Sequence, residues 1–101
     1  MSTSIVGPRV ETRPATERPR VYKVVLLNDD YTPRRFVVTV LRSVFRMTTG
    51  EAEAVMLTAH LRGACVVAVY TRDIAETKAV QANDMGATEG YPLTFTTEPE
   101  E

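Results

Sequence analysis

One stretch constrains this chain more than any other: a run of strand-forming residues that ends in three short polar side chains and leads directly into a helix-start signal. Residues Val21–Leu27 are mostly β-branched or aromatic, which favours a strand. The polar segment Asn28–Asp30 follows, and then Thr32 precedes Pro33, a proline at a position typical of the first helical residue. The sequence therefore predicts two or three side-chain oxygens held between a strand and a helix. Such residues can also simply turn the chain and cap the helix, so both interpretations stay open at this point.

Two helices are predicted after this stretch. The first begins at Pro33 and ends at Met47, and apolar residues at three- and four-residue spacing give it one buried stripe, namely Val37, Val40, Leu41, Val44 and Phe45. Thr48 and Glu51 match a capping box, which predicts that the second helix starts there and runs to about Arg62. The short connection between the helices predicts a helical hairpin or corner.

The remaining pattern predicts two further strands and one helix. Residues 64–70 are apolar on both faces, which is typical of a central strand. A helix follows with small side chains at helical spacing, and residues 93–97 alternate like a half-buried strand. The order β-α-α-β-α-β predicts one α+β domain, with three helices packed on a small three-stranded antiparallel sheet.

Composition limits the domain organisation. The chain has 101 residues, of which 44% are hydrophobic, enough for one small domain. Residues 1–20 contain few apolar side chains and several prolines, which predicts a disordered N-terminal tail. Residues 21–101 are then the folded domain. The tail can be an inert leader or an arm that engages a partner, and its composition does not separate these two possibilities.

Charge and cysteine content exclude several classes of function. A net charge of -1 argues against nucleic acid as the main partner, and no apolar run is long enough to span a membrane. Cys65 is the single cysteine, so neither an internal disulfide nor a cysteine-based zinc site can form. This composition fits a reducing cytoplasm.

A histidine about thirty residues downstream changes the interpretation of the polar stretch. His60 lies in the last turn of the second helix, four residues after Met56, so both side chains point the same way. A helical hairpin can bring this helix alongside the start of the first one. Asn28, Asp29 and His60 would then surround one small site next to apolar Val37. The alternative is a histidine that only interacts with the negative end of its helix.

The sequence around these residues resembles the ClpS adaptor family. The resemblance runs in one register from about residue 21 to residue 97 and rests on Val24–Pro33, Phe36–Val37, Met56–Leu57 with His60, Ala75–Lys78 and Pro92–Leu93. Members of that family recognise N-degrons, proteins whose first residue is Leu, Phe, Tyr or Trp, and pass them to the AAA+ unfoldase ClpA and its protease ClpP. The resemblance therefore implies a monomeric cytoplasmic adaptor that catalyses no reaction and needs no cofactor.

The resemblance also implies roles for individual residues. Asn28, Asp29 and His60 would accept hydrogen bonds from the α-ammonium group of the substrate. The hydrophobic pocket for the first side chain would be formed by Thr32, Arg34, Val37, Met56, Ala59 and Leu93. Asp73 and Lys78 match positions that contact the unfoldase.

At two pocket positions the chain departs from the family pattern. Arg34 stands where many members carry Met, and Ala59 stands where Val is common. These departures leave the preference among first residues open, but they do not affect the expected binding of an amino terminus.

Two rival functions are weighed against the adaptor. In an enzyme, Asp29, Asp30 and His60 would be metal ligands or acid–base groups, but without a second histidine or a cysteine they are a poor transition-metal set, so no metal site is expected. A plain interaction domain of the ribosomal-stalk type would have a closed, filled surface at this position. Buried polar Asn28 and Asp29 beside a cavity would instead favour the adaptor.

Overall fold

The computed structural model describes residues 20–100, which form the predicted three helices and three strands. In chain order these are β1 (Val21–Leu27), α1 (Arg34–Phe45), α2 (Thr49–Arg62), β2 (Ala64–Thr71), α3 (Arg72–Thr88) and β3 (Phe95–Pro99). The α+β class and the element order are therefore confirmed. The predicted tail lies outside the described residues apart from Arg20. Within residues 20–100, no helix is both long and apolar enough to cross a bilayer.

The sheet is antiparallel with the strand order β2-β1-β3, so β1 is the central strand. The prediction that residues 64–70 form the central strand is wrong, because β2 lies at an edge and Val66 and Val69 are 47% and 42% exposed. The apolar pattern of β2 was misleading because its pairing with β1 is irregular. Val24 pairs with Ala68 and Val25 pairs with Val66, which leaves Val67 as an extra residue. Such a bulge shifts the in–out alternation by one position.

The bulge explains why both halves of β2 look apolar. Before it, Cys65 and Val67 pack against the core, and after it Ala68 and Tyr70 do so. The strand therefore places odd-numbered residues inward first and even-numbered residues inward afterwards. If the bulge is not taken into account, the apolar residues of β2 look like those of a strand that is buried on both faces.

Helix α1 packs on the sheet through the predicted stripe, all five members of which are buried. Pro33 is the N-cap rather than the first helical residue, and no side chain caps the helix there. Thr32 lies one residue before this N-cap, and its hydroxyl donates to Asp29 Oδ2 at 3.1 Å. The helix ends at Arg46, which adopts a left-handed conformation with φ of 61°.

Helix α2 begins with the predicted capping box. The Glu51 N–H donates to Thr48 Oγ1 at 3.1 Å, and the Thr48 N–H donates to Glu51 Oε1 at 2.9 Å. The helix ends at Gly63, whose φ of 88° is the left-handed conformation that glycine adopts without strain. The Gly63 carbonyl then accepts from the Asn28 N–H at 3.0 Å, which ties the end of α2 to the end of β1.

Helix α3 presses closely on the segment before β3. Its buried residues are the predicted small ones: Ala75, Ala79, Ala82 and Gly86. A β-carbon at Gly86 would lie only 3.0 Å from Leu93 Cβ, so this close approach favours glycine. Asn83 fixes the start of β3, because its side chain accepts from the Phe95 N–H at 2.7 Å and donates to the Phe95 carbonyl at 3.0 Å. These contacts explain why β3 covers Phe95–Pro99 rather than residues 93–97.

Candidate functional site

A cavity of about 250 Å³ opens between the end of β1, the start of α1 and the second half of α2. It is lined by Leu26, Leu27, Asn28, Asp29, Asp30, Thr32, Arg34, Val37, Met56, Ala59, His60 and Leu93. All nine residues predicted to bind the amino group or to form the hydrophobic pocket are in this set. The volume is slightly below the roughly 300–1,000 Å³ typical of sites for drug-sized ligands. The cavity therefore suits one side chain and the backbone next to it.

The floor of the cavity is apolar and comes from four parts of the chain. Leu26 belongs to β1, Val37 to α1 and Ala59 to α2, and Leu93 precedes β3; all four are buried. Thr32 is buried beside them, and Met56 is half-buried. A side chain that enters here loses contact with water and gains roughly 25 cal/mol for each Å² of apolar surface it buries.

Asn28 stands at the rim, where backbone hydrogen bonds hold it from two sides. The Leu27 N–H donates to the Thr94 carbonyl at 3.1 Å, and the Asn28 N–H donates to the Gly63 carbonyl at 3.0 Å. The end of β1 is thus fixed between the end of α2 and the segment before β3. The cavity that would favour the adaptor over a closed interaction surface is present, but Asn28 beside it is exposed rather than buried, because β1 ends where the cavity opens to solvent.

Asp29 is half-buried and organises the turn between β1 and α1. The N–H groups of Tyr31 and Thr32 donate to its Oδ1 at 2.9 and 2.7 Å, and the Thr32 hydroxyl donates to its Oδ2 at 3.1 Å. A carboxylate has about four acceptor positions, so about one remains for a ligand. Asp29 therefore turns the chain, as one of the two interpretations predicts, and it is also part of the cavity lining.

His60 lies opposite this turn, in the last turn of α2, with an exposed side chain. The helix places it on the same side as Met56 and next to Ala59, both of which line the cavity. A neutral imidazole has one ring nitrogen that accepts a hydrogen bond. The turn after β1 and the last turn of α2 thus place Asn28, Asp29 and His60 in the lining of one cavity.

Sequence reasoning did not assign Leu26, Leu27 and Asp30 to the cavity, although the structure places them in its lining. Asp30 could have been found as the third member of the polar segment. Leu26 and Leu27 immediately precede that segment. Their position at the end of β1, next to the polar turn, could have indicated that they line the cavity. Among residues 20–100, no three histidine, cysteine, aspartate or glutamate side chains come together in a way that could hold a metal ion.

The two predicted unfoldase contacts lie away from the cavity, on α3. Asp73 is exposed in the first turn of this helix. Lys78 is half-buried rather than a freely exposed charge, since its Nζ donates to the Val44 carbonyl at 2.9 Å and lies 5.7 Å from the centre of the Tyr70 ring. Lys78 thus ties α3 to the last turn of α1.

Cys65 shows none of the features of a nucleophile. Its side chain is half-buried, and burial raises the pKa of its thiol, so the reactive thiolate is disfavoured. This environment is that of a packed, unreactive thiol.

Comparisons with known proteins identify the family. A family model described as ATP-dependent Clp protease adaptor protein ClpS matches residues 17–96. The chain is 61% identical over 94 residues to ATP-dependent Clp protease adapter protein ClpS 2 of Mesorhizobium japonicum, which covers 93% of each chain. It is 57% identical to ClpS 1 of Bradyrhizobium diazoefficiens over the full length of both chains. A solved structure of Agrobacterium tumefaciens ClpS2 bound to L-phenylalaninamide matches with a TM-score of 0.81 and 61% identity, covering 82% of this chain and 100% of that chain. This chain therefore belongs to the ClpS family of ATP-dependent Clp protease adaptors.

Proposed function

We propose that this adaptor recognises N-degrons, which combine a free α-amino group with a bulky hydrophobic first residue such as Leu, Phe, Tyr or Trp. The observation that carries the proposal is one cavity with an apolar floor and three acceptors at its rim: Asn28, Asp29 and His60. L-phenylalaninamide, the ligand named for the solved relative, is itself a free amino group joined to an aromatic side chain. A ribosomal-stalk-type domain would need no such opening.

The chemistry of the rim matches an α-ammonium group in both charge and number of donors. An ammonium carries one positive charge and three N–H donors. The Asp29 carboxylate supplies the opposite charge, and charge-assisted hydrogen bonds are stronger than neutral ones. The Asn28 amide oxygen and the neutral His60 ring supply the other two acceptors. An acetylated terminus has neither the charge nor the three donors.

The test is a titration of a fluorescent peptide that begins with Phe, in a free form and in an acetylated form. We expect acetylation to weaken binding about tenfold or more, because losing hydrogen bonds to charged groups costs on the order of 1.5–3 kcal/mol. Asp29→Asn should weaken only the free form, since the amide oxygen can still accept from Tyr31 and Thr32 and preserve the turn. Asp84→Asn, an exposed aspartate on α3, is the matched control. Equal affinity for both peptides would refute the proposal.

The first-residue preference is set by the two departures from the family pattern. Ala59 is 2% exposed in the cavity floor, so it leaves room that a valine would fill. Arg34 is exposed at the opening, where its stem can cover apolar surface while its head stays in water. We expect peptides that begin with Phe, Tyr or Trp to bind at least as well as those that begin with Leu. Ala59→Val should weaken the aromatic peptides most, and a strong Leu preference that Ala59→Val leaves unchanged would contradict this account.

We further propose that the adaptor works as a cytoplasmic monomer and delivers bound substrates to the ClpA unfoldase. In this proposal Asp73 and Lys78 contact the unfoldase, residues 1–20 form an arm that it engages, and residues 21–101 bind the substrate. Within residues 20–100, every lining residue of the cavity lies between Leu26 and Leu93. A variant that starts at Arg20 should therefore bind peptides normally but fail to speed degradation of a Phe-started reporter.

The same degradation assay should include a variant with a scrambled arm of equal length. We expect it to restore much of the activity, because the reach of a flexible segment depends on its length more than on its sequence. Delivery by the shortened variant at the full rate would show that the arm is only a leader.

A further inference from the structure

The face of the sheet that points away from the helices carries a group of valines. On β1 the even-numbered residues pack in or against the core, so Val21 and Val25 lie on the other face. On β2 the residues that face the core change from odd to even numbers at the bulge, which leaves Val66 and Val69 on the outer face. Val25 pairs directly with Val66. We call Val21, Val25, Val66 and Val69 the outer valines.

The fold of residues 20–100 leaves this face open to solvent. Val21, Val66 and Val69 are 38%, 47% and 42% exposed. The edge strand β2 contains neither a charge nor a proline in its eight residues, although these are the residues that usually protect an exposed sheet from pairing with other chains. A contiguous apolar surface of this kind is typical of a site that another segment covers.

The N-terminal segment of the chain starts from one end of this face, because Arg20 directly precedes Val21. Its large apolar side chains lie in its far half, which includes Ile5, Val6 and Val10, whereas residues 11–20 contain no valine, leucine, isoleucine, methionine or aromatic residue. Ten extended residues span up to about 33 Å. The distance from Val21 to Val25 along β1 is about 13 Å at 3.3 Å per residue, so the apolar half can reach the outer valines.

The charges at this end of the sheet are complementary as well. Residues 1–20 contain four arginines and two glutamates, whereas the chain ends with Glu98, Glu100 and Glu101. The Glu100 N–H donates to the Val21 carbonyl at 3.0 Å, so the acidic end of the chain lies beside the point where the basic segment begins. Exposed ion pairs contribute little to stability, so the apolar contact must supply most of the affinity.

We propose that Ile5, Val6 and Val10 dock on the outer valines, so that the N-terminal segment folds back over the open face of the sheet. The inference rests on the proposed function only in treating residues 1–20 as the arm that the unfoldase engages. Docking holds this arm against the folded domain. The unfoldase then competes with the sheet for the arm, which makes the outer face a regulator of delivery.

Cleavage by trypsin tests the docking in the full chain. Arg9 precedes Val10, whereas Arg13 and Arg18 each precede a proline, a bond that trypsin does not cut. Cleavage between Arg9 and Val10 therefore reports whether the apolar half is docked, and a synthetic peptide of residues 1–20 is the undocked reference. One buried methylene group changes an equilibrium about fourfold. We expect this bond to be cut about threefold to tenfold more slowly in the full chain than in the peptide.

The double variant Val66→Thr with Val69→Thr keeps the β-branched shape that suits a strand and removes apolar surface from the outer face. In this variant the bond should be cut at nearly the rate measured for the peptide. Val80→Thr is the matched control, because Val80 is 56% exposed on α3, on the other side of the sheet, and it should leave the protection unchanged. Unchanged circular dichroism spectra show that both variants are folded.

Equal cleavage rates in the full chain and the peptide would overturn the inference, and so would a double variant that keeps the protection. Protection that grows with protein concentration would also overturn it, because a second copy would then cover the outer valines. The assay contains neither substrate nor unfoldase. A failure of docking therefore leaves the proposed function standing, and a failure of the proposed function leaves the difference in cleavage rates unchanged.

Discussion

Replacing Gly86 by alanine tests whether the close approach of α3 shapes the cavity floor. The added β-carbon would stand 3.0 Å from Leu93 Cβ, whereas carbon atoms in contact prefer about 3.5–4.0 Å. Leu93 Cβ cannot rotate away, because it is attached directly to the backbone. Either α3 or the segment that carries Leu93 must therefore move by a few tenths of an ångström.

The expected cost follows from two opposing effects. Overpacking of this kind costs about 1–3 kcal/mol, while replacing a helical glycine by alanine returns up to about 1 kcal/mol. The net result should be a destabilisation of roughly 1 kcal/mol. Gly50→Ala is the matched control, because Gly50 is also helical and has no atom within 4 Å of an added β-carbon. Gly50→Ala should raise stability by up to about 1 kcal/mol.

Urea denaturation of both variants measures the contrast in the free energy of unfolding. Melting temperatures should differ in the same direction, by roughly 4–8 °C for each kcal/mol in a domain of this size. Because Leu93 lines the cavity, Gly86→Ala should also weaken binding of a Phe-started peptide, while Gly50→Ala should not. A Gly86→Ala variant that is as stable as Gly50→Ala and binds normally would refute the argument that this contact fixes the floor.

Three further predictions concern stability and reactivity. Lys78→Met should lower the free energy of unfolding by about 1–2 kcal/mol in urea titrations, because the Val44 carbonyl loses a charged donor, while peptide affinity stays unchanged. Arg46→Gly should raise the free energy of unfolding by about 0.5–1 kcal/mol, since glycine adopts a φ of 61° without strain. A lower free energy of unfolding in this variant would contradict the prediction. Because burial raises the pKa of Cys65, less thiolate is present at a given pH, and iodoacetamide should modify the folded chain more slowly than the urea-unfolded chain.

The parts of the fold that the sequence predicted well depend on local chemistry. The capping box at Thr48 satisfies backbone groups within one turn of itself, so neighbouring residues are enough to recognise it. The buried stripe of α1 was equally clear, because one helix face shows directly in the spacing of apolar residues. The polar segment after β1 was found for the same reason.

The parts that were missed depend on contacts between distant segments. The bulge at Val67 appears only in the pairing of β2 with β1, and without it β2 looks like a central strand. The start of β3 is set by Asn83, twelve residues earlier, through its two hydrogen bonds to Phe95. The burial of Lys78 depends on a carbonyl thirty-four residues away in α1. No periodicity in the sequence reports any of these contacts.

The same distinction between local and distant contacts divides the candidate site into two parts with different tolerance to change. The Asp29 carboxylate is oriented by Tyr31 and Thr32, so this part of the amino-group site is built within four residues. The floor instead comes from β1, α1, α2 and the segment before β3, so its shape depends on how these elements pack. Small changes in packing, such as the displacement of Leu93, should therefore alter the preference among first residues before they affect the requirement for a free amino group. The variants Ala59→Val and Gly86→Ala test this difference in tolerance when their affinities for free and acetylated peptides are measured. The ratio of the two affinities should stay constant in each variant, while the ranking of first residues should change.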